Sequence, residues 1–327
     1  MFHLTNSIQH PSFLCNSLGT SEKGLMTINN TRRGAIEMTL AMAISGTIGW
    51  FVVRSGRPLL ELLFWRCVFG AATLAVVCGI RRHFRHGLSL RTIAWAAVGG
   101  VALVLNWLLI FASFSHASIS VATVVYNTQP FMLVGLGALL FGERLTADKL
   151  AWLAVSFTGV LLIAWGQGAT GHPGARYVAG ILMALGAAFF YAVAALVAKR
   201  LRGTPPEFIA LIQVGVGIAM LAPFAQLSNP PVDAGTWGAL ITLGVVYTGL
   251  VFVLLYGAIQ KLPTSTVGAL SFIYPLVALV VDYAVFAQRL GFFQWVGAAA
   301  ILLAAAGTTL GWSRPKAGSV VRRTTPG

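Results

Sequence analysis

Charge is what this chain has least of. Only 9% of its 327 residues are Asp, Glu, Lys or Arg, and just eight of those are acidic; a soluble globular domain carries roughly a quarter. With a mean hydropathy of +0.82, that scarcity excludes an ordinary soluble fold. Cysteine is nearly absent as well. Cys15, Cys67 and Cys78 offer no disulfide framework, and Cys67 and Cys78, on one apolar stretch, read as small packing residues. No CxxC or HExxH spacing occurs, and no glycine-rich phosphate loop precedes a helix, so neither a metal nor another cofactor is expected. Alternation of apolar and polar residues over about ten positions is also missing, which argues against a membrane barrel.

Long runs free of charge are what the chain does have. A run of about 18 or more apolar residues crosses the hydrocarbon core as a helix. Ten such spans can be drawn, near 35–53, 59–80, 92–112, 118–141, 148–166, 177–198, 207–226, 236–258, 264–286 and 291–312. The expected fold is therefore all-α: a polytopic membrane protein of ten transmembrane helices. Its 36 glycines suit helices that pack closely in lipid. Residues 1–33 are polar, without the apolar core of a signal peptide, and read as a cytoplasmic tail without fixed structure, Met26 being an alternative start. Residues 313–327 read as a second tail.

The net charge of +14 would point to nucleic acid in a soluble protein. Here the Lys and Arg flank the spans, where insertion requires them, so nucleic acid is not an expected partner. With both termini inside, seventeen of the 22 Lys and Arg fall in cytoplasmic segments and four (Arg54, Arg57, Arg176, Arg289) in outer loops, Arg66 lying within a span. Each half of the chain then holds five spans, an odd number.

Those halves match one another at a constant offset of 145 residues. Residues 92–166 laid on 237–311 put Gly99 on Gly244, Leu105 on Leu250, Ser120 on Ser265 and Pro130 on Pro275. Phe141-Gly142-Glu143-Arg144-Leu145 falls on Phe286-Ala287-Gln288-Arg289-Leu290, and Gly166 on Gly311. The units are 34–166 and 177–312, inverted relative to each other. Inverted duplication marks transporters whose halves rock about a shared midplane site.

At roughly 1.5 Å per residue, Pro130 and Pro275 both fall near the bilayer midplane. An interior proline frees the carbonyl four residues earlier, here Tyr126 and Ser271, and kinks the helix. The run Tyr126-Asn127-Thr128-Gln129 is too polar to face lipid, and Ser271 with Tyr274 is its counterpart. These residues, with Trp50, Asn106, Trp107, Tyr191, Gln213, Tyr247 and Thr248, are the candidate cavity lining. Glu61, Arg66 and Asp282 lie in the outer third of their spans. They fit either interfacial snorkelling and a static ion pair, or an outer gate and a contact to substrate charge. A carboxylate buried at Asp282 would be a natural proton-coupling site. Glu143, just past a span, fits a solvated turn pairing Arg144 or Lys149, or an inner gate.

The order of these parts resembles the drug/metabolite transporter superfamily, EamA-like branch. Phe64-Trp65-Arg66 in the second span carries it, with a mid-span proline followed by Leu140-Phe141-Gly142-Glu143-Arg144-Leu145-Thr146 and a fifth span closing on Gly166. All of this recurs more weakly as Pro275, Arg289-Leu290 and Gly311. The resemblance implies ten helices, both termini inside, alternating access, and export of small organic solutes such as amino acids or metabolites. The second repeat departs from the pattern: Ala287-Gln288 stands where Gly-Glu is usual, and Asp282 adds a carboxylate that the family does not generally require.

The expected protein is a permease of the bacterial inner membrane. Its partners are a small-molecule substrate and the lipid bilayer, and its cavity lies between spans one, three, four, six, eight and nine. With no ATP site, an ion gradient (the proton's among them) or exchange must drive uphill movement. The rival reading is an intramembrane enzyme acting on lipid or isoprenoid substrates. It needs clustered carboxylates or a nucleophile with its base at the membrane surface, and the chain scatters its few acids. Substrate, direction and oligomeric state are not readable from the residues.

Overall fold

In the computed structural model, which describes residues 12–82, 89–116, 119–143, 145–165, 175–225, 233–286, 291–310 and 312, every regular element is helical. The first span consists of α1 (Ser12–Gly46) and α2 (Ile48–Ser55). Next come α3 (Leu59–Ile80) and α4 (Leu90–Phe114), and the fourth span is α5 (Ile119–Tyr126) with α6 (Gln129–Phe141). The fifth, sixth and seventh are α7 (Ala147–Trp165), α8 (Ala175–Arg200) and α9 (Pro206–Leu221). The eighth joins α10 (Ala234–Gly244) to α11 (Val251–Lys261) through a π-helical turn, Val245–Leu250. The ninth is α12 (Thr264–Ser271) with α13 (Ile273–Phe286), and the last is α14 (Phe292–Thr309).

Six of these stretches, from Asn29–Val52 to Ala234–Lys261, are long and apolar enough to cross a membrane, and Gln129–Phe141, Thr264–Ala278 and Trp295–Gly307 are shorter apolar helices. Leu90, Leu139 and Phe292 are each more than three-quarters exposed on the outer surface. Such surface is costly against water and costs nothing against lipid tails. The chain is a polytopic, all-helical membrane protein.

The helix starts follow local chemistry. Ser89 accepts from the Thr92 amide to cap α4, and Asp233 accepts from the Thr236 amide (2.7 Å) to cap α10. Pro58, Pro205 and Pro263 sit immediately before α3, α9 and α12, where a missing N–H costs no helical bond.

The main packings join one repeat to the other, so the halves are interleaved rather than set side by side as two separate bundles. Packings come in mates under exchange of the repeats: α4 on α8 answers α1 on α11, and α6 on α8 answers α1 on α12 and α13. The pairs α3 with α9 and α7 with α14 are their own mates. Gly99 and Gly244, aligned in the sequence, sit at equivalent crossings. A Cβ on Gly99 would run into the Gln213 side chain of α9, and one on Gly244 into Phe69 Cβ of α3 and the Gly70 amide (2.9 Å).

Two expectations change. The helix of the first span extends back to Ser12, so residues 12–33 are helical rather than an unstructured tail. Residues 313–327, Gly166, Arg144, Arg289 and Gly311 lie outside the described residues. The matched prolines do not kink continuous helices. The fourth span breaks at Asn127 and Thr128 and the ninth at Phe272, positions that coincide within one residue under the 145-residue offset. Pro130 and Pro275 then sit in the first turn of the helix that restarts. There the pyrrolidine ring has no preceding turn to clash with, so a break with the proline just after it is less strained than an interior kink. The Tyr126–Gln129 polar run supplies the rest: Asn127 Nδ2 donates to the Thr123 carbonyl (2.8 Å) and Thr128 Oγ1 to the Val125 carbonyl (2.7 Å). Each of these carbonyls also accepts a backbone amide, that of Asn127 and Thr128 respectively, so the side chains add a second donor at the end of α5.

Candidate functional site

Two polar assemblies lie between the repeats, one central and one at an end of the bundle. The central one is built around Arg66 of α3. Depth along the helix alone suggested snorkelling to the surface. Instead the side chain turns into the bundle and is only 8% exposed. Its Nε donates to Thr248 Oγ1 (2.8 Å) and its Nη2 to the Tyr247 carbonyl (3.3 Å), both on the π-helical turn of the other repeat. The guanidinium carbon stands 4.7 Å from the ring centroid of Trp107 on α4, close enough for a cation–π contact. The Tyr126 and Tyr274 hydroxyls lie within electrostatic range of it.

The π-helical turn explains how Thr248 comes to serve the arginine. Its hydroxyl donates to the Leu243 carbonyl five residues back (3.1 Å) while accepting from Arg66. Wide turns of this kind loosen the backbone ladder locally and offer a carbonyl sideways. The equivalent stretch of the first repeat, in α4, runs unbroken.

Around this core, Asn106 Nδ2 donates to the Ala187 carbonyl (2.8 Å) and to the Tyr126 hydroxyl (3.2 Å). The Tyr126 ring meets Tyr191 edge to face, and Trp107, Phe252 and Tyr256 form a further edge-to-face series. Tyr256 donates to Gln213 Oε1, while Gln213 Nε2 and Gln129 Oε1 are buried without a partner among the described residues. Tyr247 bonds Thr47 at the break between α1 and α2 and packs on Phe51.

The structure therefore brings Arg66, Asn106, Trp107, Tyr126, Tyr191, Gln213, Tyr247, Thr248 and Tyr274 into one region. It places others elsewhere. Trp50 is 39% exposed and packs edge-on to Phe51. Asn127 and Ser271 turn back onto their own helices, Ser271 donating to the Val267 carbonyl (2.8 Å). Glu61 does not gather with Arg66 but pairs with Arg57 one turn away (2.8 Å). The backbone of Asp282 lies in α13, and its side chain is outside the described residues.

The second assembly is centred on Glu143. Gly142, at φ +64°, ends α6 in the left-handed region and turns the next residue under the bundle. Arg144, one of the two local partners expected of Glu143, is outside the described residues, and the Glu143 carboxylate reaches across to the other repeat. It accepts from Lys199 Nζ at the end of α8 and from both the amide (2.9 Å) and the hydroxyl of Thr264, the first residue of α12. Burial pushes this carboxyl up, but the Lys199 ammonium and the two Thr264 donors outweigh it and hold the group below its ordinary value. Lys199 also donates to the Leu262 carbonyl (3.1 Å). Two more ion pairs bridge the repeats at this end, Lys261 with Glu37 and Arg81 with Glu207 (2.9 Å). The repeats are thus closed on one another here.

Lys199, Thr264 and Tyr256 were not singled out by the sequence. Lys199 was legible only as one more loop cation, although the offset aligns it with Arg54. Thr264 carried a weak signal in the Pro263-Thr264 helix start.

The EamA-like transporter family model matches the chain twice, over residues 32–165 and 178–310. An uncharacterized transporter of Bacillus subtilis (strain 168), YxxF, is 28% identical over 264 residues, covering 80% of this chain and 85% of that protein. An uncharacterized transporter of Archaeoglobus fulgidus is 27% identical over 282 residues, covering 86% and 97%. Protein RarD of Escherichia coli (strain K12) is 24% identical over 293 residues, covering 86% and 95%. A crystal structure at 21% identity superposes with a TM-score of 0.75 over 85% of this chain and 98% of its own, which shows the shared fold. Two matched repeats, spanning most of the chain and carrying both polar assemblies between them, place the protein in the EamA-like transporter family.

Proposed function

We propose that the protein is a secondary active transporter that exports small organic solutes, such as amino acids or metabolites, by alternating access around the Arg66 region. One observation carries the reading. Polar side chains from both repeats converge where the fourth and ninth spans break, while ion pairs between the same repeats close the Glu143 end. A polar centre accessible from one side at a time is what rocking halves require.

In this reading both termini are cytoplasmic and the Glu143 assembly is the inner gate, as the excess of Lys and Arg on those loops supports. The solute sits among Arg66, Trp107, Tyr126, Tyr191 and Tyr274. An ion gradient or exchange drives the cycle, with the proton as the first ion to try. The protein acts as a carrier and performs no covalent chemistry.

Counterflow and gradient-driven uptake in vesicles containing the purified chain test this. Radiolabelled amino acids and metabolites are offered with and without an imposed pH gradient. Accumulation of at least one solute above protein-free vesicles is expected, and indifference to every solute and every gradient overturns the reading.

A further inference from the structure

Arg66 holds more positive charge and more N–H donors than its surroundings use. A guanidinium has five N–H groups. Thr248 and the Tyr247 carbonyl take one on Nε and one on Nη2, which leaves both on Nη1 and the second on Nη2 without a partner among the described residues. The neighbours that face it, Thr248, Tyr247, Trp107, Tyr126 and Tyr274, are neutral dipoles and rings. Among the described side chains no carboxylate pairs with it, and the nearest acid along α3, Glu61, is engaged by Arg57. A cation inside a membrane protein is costly unless something neutralises it.

The remaining donors have a shape. The Nε and Nη2 contacts use the lateral edge of the planar guanidinium, so the remaining N–H groups of Nη1 and Nη2 form the end-on edge that meets a carboxylate bidentately. Two features add to the attraction. Tyr274 stands in the first turn of α13, whose N-terminus carries positive dipole charge. Trp107 and Phe252 wall the site with rings 6.4 Å apart, suited to an apolar body attached to the anion.

We propose that Arg66 is the anchor for a carboxylate of the transported solute, so that the substrates are organic acids or amino acids bound by that group. The inference rests on the transport reading and deepens it. The bound carboxylate neutralises the buried cation, and its loss leaves that cation unpaired. Substrate occupancy thus changes the charge state of the contact between α3 and the π-helical turn, which joins the two repeats.

The test uses the purified full chain in detergent, with thermal stabilisation as the readout. Probes are the proteinogenic L-amino acids, butyrate and 3-phenylpropionate, each beside its primary amide and the matching amine, with phenyl phosphate as a phosphoanion arm. At least one acid is expected to stabilise the wild type while its amide and amine do not. Arg66→Lys, which keeps the charge and loses the fork, should weaken that acid tenfold or more, and Arg66→Gln should abolish the response. An unliganded melt and gel-filtration profile like the wild type's certify that both variants fold.

A response to amide or amine equal to that of the acid overturns the proposal, as does a wild-type response in both variants. Stabilisation by phenyl phosphate in place of every carboxylate overturns it as well. If counterflow of neutral or cationic solutes persists in those cases, the transport reading stands without the anchor. If no solute binds and none moves in vesicles, both fall together.

Discussion

Replacing Glu143 by glutamine keeps the shape of the side chain and removes the charge that Lys199 faces. The amide can still accept from Thr264, so the loss falls on the ion pair. Lys199 is 4% exposed and Glu143 20%, which leaves the ammonium with the Leu262 carbonyl and the Phe141 ring, 5.7 Å away. Breaking a fully buried pair by removing one partner costs about 3–5 kcal/mol; the partial exposure of Glu143 lowers the figure to about 2–3 kcal/mol. At 1.4 kcal/mol per tenfold change, the closed conformation of this end should lose roughly 30- to 140-fold in population relative to the open one. Hydrogen–deuterium exchange read on peptides covering residues 262–271 reports that opening directly, because the Thr264 amide is itself bonded to Glu143. Exchange at the start of α12 should accelerate by a comparable factor. Adding Lys199→Met to the glutamine variant, which removes the stranded ammonium, should restore most of the protection. Unchanged exchange in Glu143→Gln, or a double variant as labile as the single one, would refute the assignment of the pair as the closure of this end.

The same carboxylate sets a pH dependence. Its pKa is lower closed than open, so its contribution to closure is complete above the ordinary carboxylate value and is lost as pH falls through the closed-state value; exchange over 262–271 should rise with acidification in the wild type and much less in Glu143→Gln. Gly244→Ala should destabilise the protein by about 1–3 kcal/mol in detergent melts, since the new methyl meets Phe69 and the Gly70 backbone. Gly238→Ala, with nothing within 4 Å of the added atom, should be nearly neutral and serves as its control. Pro130→Ala should cost no more than about 1 kcal/mol, because the residue occupies the first turn of α6 rather than a helix interior; a loss of 3 kcal/mol or more would mean that the proline shapes the break.

Hydropathy alone located the spans, and the aligned Gly99 and Gly244 foretold equivalent close crossings, because a glycine needed for contact leaves its mark at a fixed position. The aligned prolines marked where the fourth and ninth spans are interrupted, though by a break and not by a kink. A proline is compatible with either a kink or a restart, and the neighbouring residues do not decide between them: the fourth span breaks at Asn127 and Thr128, the ninth at Phe272. For Arg66 the sequence left interfacial snorkelling or a static ion pair beside an outer gate or a contact to substrate charge, because distance from a helix end says nothing about which way a long side chain turns. Trp107 and Thr248, which draw it inward, are 41 and 182 residues away in the chain. Glu143 was likewise left between a solvated turn with local partners and an inner gate: Lys199 and Thr264 reach it only once the repeats interleave. Packing between distant segments is invisible to a reading that works from neighbours outward.

Exchange of the repeats carries Glu143 onto Gln288 and Lys199 onto Arg54. Gln288 lies outside the described residues, and Arg54 has the Asp233 carboxylate of the other repeat within electrostatic range, so the mate of the Glu143 pair is built from other partners. The two ends of the bundle therefore rest on different charge partners, a carboxylate–ammonium pair at one and a carboxylate near a guanidinium at the other. Near-copies of one sequence thus yield a molecule whose two ends are not equivalent.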